Sequence, residues 1–178
     1  MLRDRTDSTR GRLAMKPFTV TTLGWREWVQ LPQLQLTPIR AKIDTGARSC
    51  ALHAFYVERF RRGGGDWVRF GIHPLIKRHD LVVHCEAPLI DRRIVTDSGG
   101  HREQRCVIET ELQLGPHRIA AEVTLTDRET MQFRMLLGRN ALRGFVVDPM
   151  RSFALGRTRP PRLDNGADHH SGNAESRS

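Results

Sequence analysis

Asp44-Thr45-Gly46-Ala47 places one carboxylate on a tight, glycine-containing turn, directly after the run Pro38-Ile39-Arg40-Ala41-Lys42-Ile43. A carboxylate held this way can take a proton from water as a general base, or give one as a general acid. One such group is half of a two-carboxylate machine, so a chain that used it this way would be an enzyme only as a dimer. The plain alternative is a structural turn, because Asp and Gly are ordinary turn residues and Asp can cap the segment that follows. Other chemistries find less support. Hydrolytic zinc needs three protein ligands and an open position, often from His-Glu-x-x-His on a helix, and the chain has no such string. His73, His79, His84, Cys85 and Glu86 lie close in sequence, but alternation sends His84 and Cys85 to opposite faces of a strand. No G-x-x-x-x-G-K-[ST] string occurs to cradle ATP phosphates. Arg61-Arg62-Gly63-Gly64-Gly65 is a glycine-rich turn without the Lys or the following helix. Cys50, with His53 three residues on, is a conceivable nucleophile, but a buried structural cysteine is far more common. Neither a metal nor a cofactor is expected.

The elements that must hold Asp44 read as short strands. Ile39–Ile43 alternates apolar and basic residues, the pattern of a half-buried strand feeding the turn. Phe18-Thr19-Val20, 25–29, 67–70 and 81–85 are β-prone. Residues 107–114 and 118–126 keep period two on either side of Gly115-Pro116-His117, which predicts a hairpin. Met135-Leu136-Leu137 is a short apolar strand that ends at Gly138, and Arg139-Asn140-Ala141-Leu142 reads as one or two helical turns. Residues 146–148 and 152–155 are placed to close the sheet. The pattern predicts an all-β, barrel-like domain over residues 17–157 with one short C-terminal helix. The head (1–16) and the tail (158–178) are polar, lack periodicity and are expected to be disordered. His169-His170 in that tail is read as unstructured rather than as a ligand pair. Residues 55–89 look like an insertion rich in Gly, His and Arg.

A chain of 178 residues can bury a core without covalent staples. Cys50, Cys85 and Cys106 are odd in number and far apart, so they suggest neither a disulfide framework nor a zinc ribbon. That composition suits a reducing compartment. The first residues lack the apolar core of a secretory signal, and no apolar run approaches the roughly 18 residues needed to span a bilayer. A soluble, cytoplasmic protein without membrane contact is expected. The net charge is +9, and most of it falls in the middle of the chain rather than in the head or tail. Such a surface attracts polyanions, either acidic peptide or nucleic acid. Generic solubility charge explains it equally well. With 7 Phe, 3 Trp and 1 Tyr the chain has few rings on which bases could stack. Nucleic acid is therefore not expected as a partner.

Ala41–Ala47 (AKIDTGA) and Met135–Leu142 (MLLGRNAL) together resemble the retropepsin pattern. That pattern is a D-T/S-G turn, then an apolar-apolar-Gly strand, then Arg-Asn and a short helix. Thr96–Gly100 (TDSGG) lies between them, where retropepsins carry a glycine-rich flap hairpin. The longer series GWREWVQLP, IRAKIDTGARSCALHAF, VRFGIHP, DSGG, VIETELQLG and TLTDRETMQFRMLLGR is similar to a narrower bacterial family. That family has carried the label "ATP-dependent zinc protease" and is better described as retropepsin-like (RimB-like). The similarity runs over residues 18–157. It implies a retropepsin-like closed β-barrel, half of a pepsin-type bilobal enzyme, with aspartic endopeptidase activity.

The implied mechanism has a physical requirement. Two carboxylates about 3 Å apart cannot both ionise, so they share one proton. The chain offers one Asp-Thr-Gly. Asp97-Ser98-Gly99 repeats the triplet type, but it sits in a polar stretch where the resemblance puts the mobile flap. The second carboxylate is therefore expected from Asp44 of a second chain, across a two-fold axis, in a homodimer. By resemblance, Asp44 is the dyad member and the Thr45 hydroxyl bonds across the two-fold. Gly46 lets the two backbones approach, and Leu136, Leu137 and Gly138 bracket the catalytic loop. Gly99 and Gly100 form the flap tip. Ala47, Arg48 and Arg102 are candidate substrate-binding residues. Retropepsins often have acidic residues after Asp-Thr-Gly-Ala, whereas Arg48-Ser49 stands here. With Arg92, Arg93, Arg102 and Arg105 near the flap, Arg48 would favour an acidic peptide; solvated surface charge is the even alternative. The family's link to a ribosomal-protein glutamate ligase implies a glutamate-tailed ribosomal protein as substrate. A non-catalytic barrel that binds acidic protein tails or RNA is the competing function.

Overall fold

Ile39, Ala41 and Ile43 turn inward and are buried, while Lys42 is exposed and Arg40 half-exposed. Strand β3 (Ile39–Ile43) thus has the two faces its alternation predicts. In the computed structural model, which describes residues 20–75, 80–96, 99–127 and 132–161, it is one of twelve strands. Before it come β1 (Thr21–Gly24) and β2 (Arg26–Val29). After it come β4 (Cys50–His53), β5 (Tyr56–Arg62), β6 (Gly65–Ile72), β7 (Val83–Pro88) and β8 (Asp91–Thr96). Long strands β9 (Arg102–Leu114) and β10 (His117–Thr126) precede β11 (Met135–Leu137) and β12 (Phe145–Asp148). Helical structure among the described residues is limited to two 3-10 turns, Pro32–Leu34 and Arg139–Leu142. No described helix is long and apolar enough to cross a membrane.

Seven strands form the main sheet in the order β2-β3-β11-β4-β10-β9-β8. Short, apolar β11 lies inside it, parallel to β3 and antiparallel to β4. Strands β9 and β10 make the predicted hairpin across Gly115-Pro116, with Leu114 opposite His117. The ladder is open in this order. One reciprocal pair of hydrogen bonds, Gln30 with Gln113 at 3.0 and 2.9 Å, draws β9 toward the end of β2. The core between the curved faces is aliphatic, with Leu31, Ile39, Leu52, Ile108, Leu112 and Leu137 almost wholly buried.

The strands expected at 67–70 and 81–85 fall in β6 and at the start of β7, and β5 joins them in a three-stranded antiparallel meander. Its Val68, Phe70 and Cys85 are buried in the same hydrophobic cluster as the main core. The expected helical turn at Arg139–Leu142 is a single 3-10 turn. One feature differs from the sequence expectation. Residues 152–155 form no strand and instead wrap back over β2. The expectations for the head, for Phe18 and Thr19, and for most of the tail lie outside the described residues, as do those for His79, Asp97 and Ser98.

The wrap has a specific anchor. Glu27 is buried in β2, and its carboxylate accepts the backbone N–H groups of Gly24 at 2.7 Å, Ala154 at 2.8 Å and Leu155 at 3.4 Å. A buried carboxylate is tolerable only with such donors, and the donors need it equally. Replacing Glu27 with Ala should cost about 3 kcal/mol by stranding these N–H groups. For a chain of this size that lowers Tm by about 6–12 °C in thermal unfolding; an unchanged Tm would show that the wrap does not depend on Glu27.

Candidate active site

The Asp44 turn is pinned from two sides. Ile43 donates its N–H to the Trp25 carbonyl at 2.9 Å, and Asp44 donates its own to the Leu137 carbonyl at 2.9 Å. The parallel register of β3 and β11, with Ile43 beside Leu137, sets up the second bond. At Gly138 the chain passes so close to the turn that an added Cβ would stand 2.3 Å from the Ser49 carbonyl oxygen. A side chain there would push the two segments apart. Beyond Gly138, Arg139 donates its backbone N–H to the Ala47 carbonyl and Asn140 donates to the Arg48 carbonyl, both at 3.0 Å. The Arg139 side chain finishes the brace: Nη1 donates to the carbonyls of Thr45 at 2.9 Å and Gly46 at 2.8 Å.

Within the turn, Asp44 Oδ1 accepts the N–H groups of Gly46 and Ala47, both at 3.1 Å. Oδ2 makes no hydrogen bond with another described residue. A side chain on Gly46 would crowd this arrangement, since its Cβ would lie 3.3 Å from Oδ1. Asp44 is half-buried, and Thr45, Gly46 and Arg48 are exposed. The Thr45 hydroxyl has no hydrogen-bond partner among the described residues. The carboxylate is therefore fixed by one oxygen, leaving the other available for a proton, a water or a second carboxylate.

Strands β8 and β9 pair from Asp91↔Val107 to Thr96↔Arg102, so the glycine-rich stretch caps a hairpin. Gly99 and Gly100 are exposed near its tip, and Gly100 has φ +82, a left-handed conformation suited to glycine. The arginines around this hairpin divide into two sets. Arg93 joins Asp91 on its own strand to Glu122 on β10. Glu122 and Asp91 hold its guanidinium well above its ordinary value, and Arg93 holds both carboxyls below theirs. Arg105 is buried and pairs with Glu103 at 2.8 Å. These two guanidiniums are occupied by nearer carboxylates. Arg48, Arg92 and Arg102 are exposed and form no ion pair with a described residue.

The other candidate chemistries are poorly placed. Burial pushes the Cys50 thiol up to about 11, opposed only by the backbone N–H of Gly138. It therefore carries almost no thiolate at neutral pH. His84 is exposed and shares a 2.8 Å hydrogen bond with the Tyr56 hydroxyl. Cys85 is buried behind it, with its thiol directed at the Leu34 carbonyl at 3.5 Å. Among the described residues no group of three or more His, Cys, Asp and Glu side chains is arranged to hold a metal ion.

Sequence reading located Asp44 and the bracketing Leu-Leu-Gly strand, and the structure brings them into direct hydrogen-bond contact. It gave no role to Arg139, although the Arg-Asn pair after Gly138 was visible as part of the motif.

An all-β chain with a D-T-G turn braced by an apolar-apolar-Gly strand has the retropepsin-like architecture. Residues 22–158 match the model of the family described as retropepsin-like aspartic endopeptidase RimB, and the chain belongs to this RimB-like family. Among curated proteins, it is 42% identical over 135 residues to a probable alpha-L-glutamate ligase of Shewanella halifaxensis, covering 75% of this chain and 30% of that protein. Proteins of the same name from Desulfotalea psychrophila (42%, covering 75% and 29%) and Parasynechococcus marenigrum (41%, covering 80% and 31%) match similarly. The chain thus spans about three tenths of the length of these relatives. A solved Legionella pneumophila protein of unknown function superposes with a TM-score of 0.66 at 26% identity, covering 76% of this chain and 98% of the other.

Arg139→Ala should loosen the turn without unfolding the sheet, because it removes two charge-assisted bonds to exposed carbonyls. The expected readout is faster hydrogen exchange at the Gly46 and Ala47 amides by about tenfold, which corresponds to about 1.4 kcal/mol of local opening. Unchanged exchange at both amides would show that the backbone bonds alone hold the turn.

Proposed function

We propose that this chain is the protomer of a homodimeric aspartic endopeptidase that cleaves acidic, glutamate-rich peptide tails. The observation that carries the reading is the Asp44 turn, open to solvent yet braced by Leu137, Gly138 and Arg139, in a chain of an aspartic endopeptidase family. Two such turns, related by a two-fold axis, would place two Asp44 carboxylates around one proton. The ionised carboxylate takes a proton from water as the water oxygen bonds to the scissile carbonyl carbon. The protonated one gives its proton to the carbonyl oxygen. Collapse of the tetrahedral intermediate breaks the C–N bond, and a proton passes to the leaving amine. The Thr45 hydroxyl, exposed and without a hydrogen-bond partner among the described residues, is suited to bond across the axis. The β8–β9 hairpin with Gly99 and Gly100 serves as the flap.

Substrate class follows from charge and from the relatives. Ala47 and Arg48 border the turn and Arg102 starts the strand after the flap tip, and neither arginine forms an ion pair with a described residue. Paired hydrogen bonds from guanidinium to carboxylate would favour glutamate side chains on the substrate. The curated relatives share this domain with a longer chain named for joining glutamate, so a domain that removes glutamate from the same product is a coherent pairing. The glutamate-tailed product is read as a ribosomal protein, and the site of action as the cytoplasm. The competing reading, a non-catalytic module that binds acidic tails, loses support because the turn is exposed rather than sealed beneath the surface.

Asp44→Asn should abolish cleavage of polyglutamate while leaving the fold and the molecular mass in solution unchanged. Full activity in that variant, or full activity in a strictly monomeric wild type, would end the proposal. A pH profile provides a second check. The shared proton favours acidic conditions. Asp91 and Glu122 have folded values below their unfolded ones, so the ties to Arg93 stabilise the hairpin above about pH 4 and are lost as pH falls through the folded values. Activity should therefore rise from neutral to mildly acidic pH and fall again below about pH 4. Replacing Glu122 with Gln should shift only the acid limb; a profile that rises steadily with pH would contradict the shared-proton mechanism.

A further inference from the structure

The wrapping segment and β2 form an open cleft of about 600 Å³ lined by Arg26, Met150, Arg151, Ser152, Phe153 and Arg157. Three of these six residues are arginines and none is acidic. None of the three guanidiniums forms an ion pair with a described residue. Lys42 adds a fourth cation nearby, since it faces Arg26 across the β2–β3 ladder. The Asp148 carboxylate, just before the cleft in sequence, accepts the Met150 N–H at 2.9 Å.

The cleft is built rather than incidental. The Arg26 guanidinium lies 4.6 Å from the Trp25 ring centroid and 5.0 Å from that of Phe153. Its Nε is buried without a hydrogen-bond partner. A buried, unpaired donor in a native structure calls for an explanation. Phe153 holds φ +53, an uncommon conformation for a bulky residue. It is kept there by its N–H bond to the Arg26 carbonyl at 2.9 Å and by its stack on Trp28 at 5.5 Å. Backbone strain retained by its surroundings often marks a binding site. The Glu27 carboxylate ties down the next two residues, Ala154 and Leu155.

Position links the cleft to the turn. Trp25 donates its N–H to the Arg151 carbonyl and accepts the Ile43 N–H, both at 2.9 Å. Lys42, opposite Arg26, precedes Asp44 by two strand residues, roughly 7 Å. A peptide lying at the turn could therefore reach the cleft within a few residues.

We propose that this cleft is a carboxylate-binding subsite that holds a glutamate carboxylate of an acidic peptide at a point removed from the scissile bond. The proposal deepens the functional reading above and rests on it for the identity of the peptide. Planar guanidinium groups match a carboxylate through two parallel hydrogen bonds. Uncompensated cations around one cavity repel one another, and an anion relieves that repulsion. Nucleic acid fits less well, because Arg26 and Trp28 already cover the Phe153 ring that a base would need for stacking.

The test separates this subsite from the catalytic reading. Asp44→Asn protein is titrated with oligoglutamate, oligoglutamine of equal length, free glutamate and single-stranded RNA, following Trp fluorescence and heat. The exposed pair Arg151→Gln/Arg157→Gln is made in the same background and in the active chain. Oligoglutamate should bind and oligoglutamine should not, and the double variant should weaken binding about tenfold or more, less so at high salt. In the active chain the double variant should raise KM by a similar factor and leave kcat unchanged. Free glutamate competing as well as the peptide would keep the carboxylate chemistry but assign its source to the released product. Equal oligoglutamate affinity in the double variant, or preference for RNA, would overturn the proposal. Oligoglutamate binding that needs these arginines, in a protein that cleaves nothing, would leave the subsite standing and end the endopeptidase reading instead.

Discussion

The bond from the Asp44 N–H to the Leu137 carbonyl depends on a parallel pairing between segments more than ninety residues apart, and the site depends on that pairing in turn. A carboxylate on a free loop samples many positions, whereas proton transfer needs hydrogen-bond distance. Strand β11 removes that freedom by lying between β3 and β4, so both ends of the Asp44 loop are anchored on its two sides. Gly138 then lets the chain pass in contact with Ser49, and Arg139 closes the loop through the carbonyls of Thr45 and Gly46. Each bond is worth about 1 kcal/mol net. Together they convert a common turn into a rigid mount.

Charge is organised around that mount in two ways. Some arginines are structural: Arg93 and Arg105 are consumed by Glu122, Asp91 and Glu103, which tie the β8–β9 hairpin to itself and to β10. Others, on the turn and lining the cleft of the wrap, form no ion pair with a described residue. The net charge of +9 therefore understates the local contrast. Acid and base are matched where the fold needs stiffness and unmatched on the surfaces proposed to meet substrate. Glu27 is the inverse case, an acid buried in β2 and satisfied by backbone N–H groups of the wrap.

Much of this was legible in the residues. Alternation in 39–43 predicted β3, the Gly115-Pro116 turn predicted the β9–β10 hairpin, and the apolar run before Gly138 predicted β11. Those signals lie within a few residues of one another. Of the β5–β7 meander, β6 and β7 were legible but β5 was not, because Tyr56–Arg62 is mostly charged and faces solvent. The ion pairs of Arg62 and Arg69 with Glu86 join strands that no local window relates. Residues 152–155 resembled a strand in composition, but their N–H groups go to one β2 carbonyl, that of Arg26, and to the Glu27 side chain rather than into a regular ladder.

By itself, the sequence determined the class of elements, the position of Asp44 on a turn after a half-buried strand, and the family to which the chain belongs. Periodicity and turn chemistry act over short windows, so they survive as a readable pattern. Only the tertiary structure decided which strands flank β11, that Arg139 braces the turn, which arginines are already paired, and that three others surround one cleft. Each of these is a contact between segments far apart in the chain. Its energy depends on register and close approach, which no local window contains.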